Sequence, residues 1–100
     1  LWADAAQKAP GVFAPHYQLA EALHARGDCA AAIPRYRRAI TLVPSYLDAS
    51  NNLGICLAQT GELAEARQVF EGVLARDPSY PRARNNLRTL DRLESSSRKP

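Results

Sequence analysis

A step of about 34 residues repeats through this chain and limits its fold more than any other feature. Prolines recur at Pro10, Pro44 and Pro78, and glycines recur at Gly27 and Gly61. A fixed period of this size indicates stacked supersecondary units rather than one closed domain. Three other residue types recur at the same step. They are large aromatic residues at Trp2, Tyr36 and Phe70, alanines at Ala32 and Ala66, and leucines at Leu19, Leu53 and Leu87.

The first complete period, residues 13–46, predicts two helices. Gly27 is expected to end the first helix because glycine adopts the left-handed conformation of a C-cap without strain. Asp28 then stands where the N-cap of the second helix is expected. Pro34 lies deep enough in that helix to remove a backbone hydrogen bond, so we expect a kink or a delayed start. The apolar face predicted for the first helix carries Leu19, Ala20 and Leu23.

The second period predicts helices over about residues 47–60 and 63–76. A last helix is expected over 81–94, with a polar outer face that caps the stack. Residues 95–100 are rich in serine and basic residues, and we expect them to be disordered. Within the partial unit at residues 1–12, the residues from Leu1 to Lys8 have helical spacing, which stops before Pro10-Gly11. They are interpreted as the end of a preceding unit, and the chain as a piece of a longer array.

The pattern within each period resembles the tetratricopeptide repeat (TPR). Each unit has two predicted helices, with a small residue after a leucine in the first helix and an alanine four residues before an aromatic in the second. One unit carries the resemblance at Leu19, Gly27, Ala32, Tyr36, Ala39 and Pro44, and the other at Leu53, Gly54, Gly61, Ala66, Phe70 and Pro78.

The resemblance implies an all-α fold, in which antiparallel helix pairs stack into an alpha-alpha superhelix, a TPR solenoid of bacterial type. Its full units would be residues 13–46 and 47–80, preceded by a partial unit at 1–12 and followed by a capping helix at 81–94. Some positions depart from the family pattern: His16 and Ser50 replace a frequent tryptophan, Leu23 and Leu57 a tyrosine, and Val73 an alanine.

In this family the first helix of each unit lines a concave groove, so the resemblance implies a module that binds a protein or an extended peptide. Gln18, Asn52 and Asn86 occupy equivalent places, and we expect a ladder of side-chain amides that clamps a peptide backbone. The alternative is that these amides solvate the groove or bond a neighbouring helix. The predicted groove residues are Tyr17, Gln18, Glu21, Asn51, Asn52, Ile55, Arg82, Asn85 and Asn86, with His24, Asp48 and Thr89 on the same face.

Chaperone-binding members of the family hold the terminal carboxylate of a partner with lysine, arginine and asparagine. Asn52 and Arg82 agree with that cluster, but Tyr17 and Glu21 replace a lysine and an asparagine, and Asn86 replaces the second cation. The missing charge pair removes most of the specificity for an anion. We therefore do not expect this chain to recognise a terminal carboxylate.

The net charge of +3 is concentrated towards the C-terminus. Arg82, Arg84, Arg88 and Arg92 lie on the last predicted helix, and such a stripe would attract nucleic acid or an acidic peptide. The helix has no aromatic residue on which a base could stack. Nucleic-acid binding is therefore the less favoured interpretation, and we interpret the arginines as the solvated face of a capping helix.

No constellation in the sequence predicts an enzyme, a cofactor, a small-molecule substrate or a metal site. His16 and His24 are too far apart round a helix to form a tight ligand pair. Cys29 and Cys56 lie on different predicted helices, without the spacing of a metal motif. We interpret them as two buried free thiols.

Two alternatives concern the start of the chain. An apolar edge around Leu1, Trp2 and Ala5 would support self-association into a homo-oligomer. The residues from Leu1 to Pro10 also resemble the junction in bacterial membrane-anchored proteins of glycosyltransferase type that carry a repeat tail. No apolar run approaches the roughly 18 residues that cross a bilayer. The location is not indicated by the sequence; a cytoplasmic one is favoured, with membrane attachment only through other parts of a parent protein.

Overall fold

The computed structural model of the chain describes residues 13–98, which form five α-helices and, within that range, no strand. The first helix of each unit begins one full period after the previous one, and the second helices follow the same step. This confirms the all-α class predicted from the period. The helices are α1 (Phe13–Ala25), α2 (Cys29–Leu42), α3 (Leu47–Gln59), α4 (Leu63–Arg76) and α5 (Pro81–Arg98).

Each helix packs against the next one along the chain, and α3 also contacts α5 directly. The connections are short, so consecutive helices are antiparallel. The odd-numbered helices therefore form one layer and α2 and α4 form the other. This layering places the residues of the predicted groove on neighbouring helices of a single layer.

Two glycines end α1 and α3 in the same way. Gly27 has a φ of 83° and Gly61 a φ of 90°, both in the left-handed region. The N–H of Gly27 donates to the carbonyl of His24 at 2.9 Å, and the next N–H donates to Leu23 at 2.8 Å. The same pair of bonds occurs one period later, around Gly61. These are Schellman motifs, and they confirm the predicted helix ends.

Helix α2 begins at a side-chain cap. Oδ1 of Asp28 accepts a hydrogen bond from the backbone N–H of Ala31 at 3.2 Å, which confirms the predicted N-cap. Pro34 lies inside the helix and is exposed. Because α2 starts at Cys29 directly after the cap, the delayed start considered for Pro34 does not occur.

The core is built around one large aromatic residue per unit. Tyr36 on α2 and Phe70 on α4 are almost fully buried, and each lies beside a buried alanine four residues earlier. Gly54 allows α3 to approach Phe70 closely, because an added Cβ would lie 2.6 Å from Cε1 of the ring. The small residue after a leucine is therefore required by the contact between α3 and α4.

Leu19 does not belong to the core, contrary to the sequence-based expectation. Its side chain is 41% exposed, whereas Leu53, its equivalent one period later, is 6% exposed. Leu53 lies on α3, which is covered by α2 on one side and by α4 on the other. Among residues 13–98 no helix precedes α1 to cover Leu19 in the same way.

The last helix continues to Arg98, beyond its predicted end at residue 94. The disorder expected from residue 95 is therefore wrong for residues 95–98. Glu94, the last residue of the predicted helix, forms an ion pair with Arg67 of α4. After Pro81, α5 contains no glycine or proline up to Arg98.

Residues 1–12 and 99–100 lie outside the described part of the chain. The predicted half unit and the apolar edge around Trp2 fall in the first of these segments and stay predictions. Among the helices of residues 13–98, none combines the length and the apolar character that a membrane span requires.

Candidate peptide-binding groove

Two amides of the predicted groove connect successive odd-numbered helices. Nδ2 of Asn52 on α3 donates to the hydroxyl of Tyr17 on α1 at 3.3 Å. Nδ2 of Asn86 on α5 donates to Oδ1 of Asn51 on α3 at 3.0 Å. Both bonds join residues 35 positions apart, so they are the same contact repeated one period later. The amides therefore help to hold α1, α3 and α5 side by side.

These bonds also limit what the amide ladder offers to a ligand. Gln18 is exposed, whereas Asn52 and Asn86 are half-buried. A side-chain amide has two N–H donors and one carbonyl acceptor. One donor of each asparagine is already bonded to the preceding odd-numbered helix. The alternative interpretation, in which the amides bond a neighbouring helix, thus accounts for part of their hydrogen-bonding capacity.

The prediction that Asn51 contacts a ligand is wrong, because its side chain is fully buried. Asn51 stands one period after Tyr17, and like Tyr17 it accepts a hydrogen bond from the next odd-numbered helix. Its Nδ2 has no hydrogen-bond partner among the described residues. Burying an amide group without a partner destabilises a fold. Asn51 is thus a residue of the interface between α3 and α5.

Tyr17 lies in a cluster of tyrosine rings. Its ring meets Tyr36 edge-on at 6.0 Å and Tyr46 at 5.2 Å between ring centroids. Burial raises the pKa of Tyr17 above its ordinary value, and the nearby carboxylate of Glu21 raises it further. The hydroxyl therefore stays protonated at neutral pH.

A first pocket opens between α1, α2 and α3. It has a volume of about 280 Å³ and is lined by Glu21, His24, Ala25, Tyr36 and Asn52. Nδ1 of His24 lies 3.2 Å from the hydroxyl of Tyr36, and the two rings meet edge-on. A carboxylate, an imidazole and a phenol thus surround this pocket, beside the ladder residue Asn52.

A second pocket of about 340 Å³ repeats the first one period later. Three polar residues of the first pocket have apolar equivalents in the second. The pairs are Glu21 and Ile55, His24 and Ala58, and Tyr36 and Phe70. Three residues of α5 extend the second pocket, including Leu93, which is 43% exposed. The other lining residues are Gln59, Asn86, Thr89 and Leu90.

The two pockets therefore have the same construction, but three equivalent positions are polar in the first and apolar in the second. In each, the walls are the first helix of a unit and the aromatic residue of its second helix. The ladder amide of the next unit completes the wall. The first pocket suits a cationic or hydrogen-bonding side chain, and the second suits an apolar one.

The sequence profile of the tetratricopeptide repeat matches residues 17–81. The chain belongs to this family. A search of curated proteins finds no match to the chain. TPR domains are protein–protein interaction modules and typically non-enzymatic scaffolds, so a protein is the kind of partner that this TPR domain binds.

The predicted contact Arg82 is exposed, but its charge is paired within the TPR stack. Its guanidinium forms an ion pair with Asp48, one period earlier, and donates to the hydroxyl of Tyr80 at 2.6 Å. The group also lies over the Tyr80 ring, 5.3 Å from the centroid. Burial raises the pKa of Tyr80 to about 12, and its hydrogen bond to Asp48 adds to the shift. This pairing reduces the attraction of Arg82 for a ligand anion.

The remaining predicted residues lie on the surface of α5. Asn85 is exposed, and its backbone carbonyl accepts a hydrogen bond from Thr89 at 3.2 Å. Arg84 is also exposed and donates to the carbonyl of Pro78 at 2.5 Å. Arg88 and Arg92 are exposed as well. The exposure of these arginines is compatible with a solvated capping face, and nucleic-acid binding by them stays a prediction.

His24, Cys29 and Cys56 form a cluster that no motif in the sequence predicted. Their ligand-type atoms all lie within 4.8 Å of one another. Sγ of Cys29 donates to Oε1 of Gln59 at 2.9 Å. Burial raises the pKa of the Cys56 thiol, and the neighbouring Cys29 raises it further. The only signal in the sequence was indirect: the repeat places the ends of successive first helices side by side.

Proposed function

We propose that this TPR domain binds an extended segment of a partner protein along the face shared by α1, α3 and α5. The observation that carries the proposal is the pair of equivalent pockets, each beside a ladder amide. An extended chain presents side chains at regular intervals along one direction. A repeated pocket is suited to such a ligand, because each unit receives one side chain.

The chemistry of the pockets defines the segment. Glu21 and His24 favour a basic or hydrogen-bonding side chain in the first pocket, where Glu21 supplies a negative charge. Ile55 and Phe70 favour an apolar side chain in the second pocket. The exposed Leu93 adds apolar surface there that a ligand would cover. We therefore expect a motif with one basic and one apolar residue in a fixed order.

The amides contribute contacts that do not depend on the ligand sequence. Asn52 and Asn86 each line a pocket and each have a second N–H and a carbonyl oxygen. Such groups can bond the backbone of a peptide. Gln18 is exposed at the equivalent place on α1 and extends the series by one unit.

A swap of the two pockets tests the order of the motif. Peptides are first selected from a random displayed library on the full chain, and one selected peptide is synthesised in forward and reversed motif order. The double variant Glu21→Ile, Ile55→Glu exchanges the pocket chemistries at equivalent positions. We expect it to prefer the reversed motif. The wild type should bind the forward peptide, and the double variant the reversed peptide, about 10-fold or more tightly than the other peptide. Apolar pockets discriminate between side chains by about 1–3 kcal/mol.

Single variants give the controls. Glu21→Gln should weaken the affinity for the peptide with the basic residue by at most about fivefold, since exposed ion pairs contribute about 0.2–1 kcal/mol. Glu71→Gln removes an exposed carboxylate from α4, on the other layer, and should change nothing. Fluorescence anisotropy measures the affinities. The proposal is wrong if the swapped variant keeps the forward preference, or if no library peptide is enriched.

Replacing both Asn52 and Asn86 with alanine tests the ladder separately. We expect peptide capture to be lost while the helix content by circular dichroism is kept. Each substitution also removes a hydrogen bond between helices, worth about 1 kcal/mol of stability. Binding is therefore measured well below the melting temperature of the variant. Unchanged capture would leave the amides with a structural role only.

A further inference from the structure

Three side chains of metal-ligand type meet at one end of the first helical pair. His24 lies in the last turn of α1, Cys29 is the first residue of α2, and Cys56 lies near the end of α3. Both cysteines are buried free thiols, and His24 is half-buried. Nitrogen and sulfur atoms of these residues all lie within 4.8 Å of one another.

We propose that His24, Cys29 and Cys56 bind one thiophilic d¹⁰ metal ion, Zn²⁺ or Cu⁺. Thiolate and imidazole are the ligands that both ions prefer. Two cysteines and one histidine form a known zinc ligand set with one position left for another group. The same three donors suit a three-coordinate Cu⁺. This proposal does not depend on peptide binding.

The distances fit such a site after a small adjustment. A zinc–sulfur bond of about 2.3 Å places two sulfurs of a tetrahedral site about 3.8 Å apart, and those of a trigonal site about 4 Å apart. The ligand atoms are within 4.8 Å of one another without an ion, so the two sulfurs must approach by at most about 1 Å and each nitrogen–sulfur pair by at most about 1.3 Å. Side-chain rotation covers this change.

The surroundings supply the other parts of a metal site. Nδ1 of His24 is 3.2 Å from the hydroxyl of Tyr36, a contact that orients the imidazole. Oε1 of Gln59 lies 2.9 Å from Sγ of Cys29, so this oxygen is placed to be the fourth ligand in a zinc complex. His24 also lines the first pocket, which gives an ion a path from solvent to the buried thiols.

Metal titration of the reduced, chelator-treated chain tests the proposal. Co²⁺ is the spectroscopic probe for the zinc arm, and Cu⁺ with a competing chromophoric chelator is the copper arm. We expect one ion per chain in at least one arm. Bound Co²⁺ should show thiolate charge-transfer absorption and the visible bands of a tetrahedral ion, and Zn²⁺ should displace it. Failure of both arms to give a one-to-one complex would overturn the proposal.

Variants identify the ligands. Cys29→Ser and Cys56→Ser should each lower the charge-transfer intensity. His24→Gln should weaken metal binding at least about 100-fold, because even the loss of a group that hydrogen-bonds a ligand weakens metal affinity 10–100-fold. His16→Gln is the matched control, because His16 lies on the same helix, away from the cluster and next to Arg35. Equal affinities of the His24 and His16 variants would overturn the proposal.

A measurement on the unmodified chain covers the case in which a cysteine variant does not fold. X-ray absorption of the zinc-loaded or copper-loaded protein should show two sulfur neighbours, at about 2.3 Å for zinc, and one nitrogen at about 2.0–2.1 Å. A shell of only nitrogen and oxygen atoms would mean that the ion lies elsewhere. Cys29 and Cys56 would then be packing residues of the core.

Discussion

Replacing Gly54 with alanine is expected to destabilise the protein, although the same change usually stabilises a helix. An added Cβ would lie 2.6, 2.7 and 3.0 Å from three ring carbons of Phe70. Carbon atoms pack best at about 3.5–4.0 Å, so all three contacts are too short. Phe70 is 1% exposed, so its ring cannot move away without disturbing the core. Either α3 or the ring must shift.

The magnitude follows from two opposing effects. Overpacking a core usually costs about 1–3 kcal/mol, and three simultaneous contacts favour the upper half of that range. Alanine gains about 1 kcal/mol over glycine from helix propensity. We therefore expect a net loss of about 1–2 kcal/mol. For a domain of this size, each kcal/mol lowers the melting temperature by about 4–8 °C.

Gly72→Ala is the matched control for this experiment. Gly72 lies inside α4, and nothing is within 4 Å of the place where its Cβ would be. Alanine should stabilise the protein there by about 1 kcal/mol. Urea unfolding followed by circular dichroism measures the wild type and both variants. The two substitutions should differ by about 2–3 kcal/mol in their effect on the free energy of unfolding.

A second substitution tests the cause. Phe70→Leu removes the outer ring atoms that meet the added methyl, so Gly54→Ala should cost much less in that background. The coupling between the two sites should be about 0.5–3 kcal/mol. Ala20 stands one period before Gly54 and is fully buried. The first unit, whose aromatic residue is Tyr36, therefore accommodates the methyl group of an alanine at this position. If Gly54→Ala stabilises the protein as Gly72→Ala does, the reasoning about this contact is refuted.

Two further outcomes are expected. Asp28→Ala removes the bond to the N–H of Ala31 and should lower the free energy of unfolding by about 0.5–2 kcal/mol, whereas Asp28→Asn should keep most of it; urea titration separates the two. The pKa of Tyr80 rises from 10.0 to about 12 on folding. The unfolded chain therefore loses this proton first, and the stability linked to it is lost as the pH rises from about 10 to about 12. Tyr80→Phe should flatten that part of the pH profile, and an unchanged profile would assign the loss to other tyrosines.

Most of the fold was predictable from local signals in the sequence. Gly27 and Gly61 end helices because their backbone conformation strongly favours glycine. Asp28 starts a helix because its carboxylate reaches an N–H three residues on. Such effects act within a few residues of the chain, and the regular period repeats them. The end of α5 was misjudged because the serine-rich composition after Glu94 was interpreted as disorder, although no glycine or proline stops the helix before Arg98.

The candidate site was less predictable. The period correctly indicated that Asn52 and Asn86 are equivalent, and both make the same contact with the preceding odd-numbered helix. It gave no warning that Asn51, the neighbour of Asn52, is buried. Adjacent helical residues point about 100° apart, so a small rotation of α3 decides which of them faces the groove. That rotation is set by the packing of α3 against α2, α4 and α5.

The sequence by itself determined the number of helices between residues 13 and 98, their order and nearly all of their ends. Only the tertiary structure decided which polar groups meet across helices. It paired Arg82 with Asp48, gave the two pockets their contrasting walls and assembled His24 with Cys29 and Cys56. The physical reason is range: backbone preferences act between near neighbours in the chain. These clusters join residues on different helices, and the side-chain packing that brings them together leaves no local pattern in the sequence.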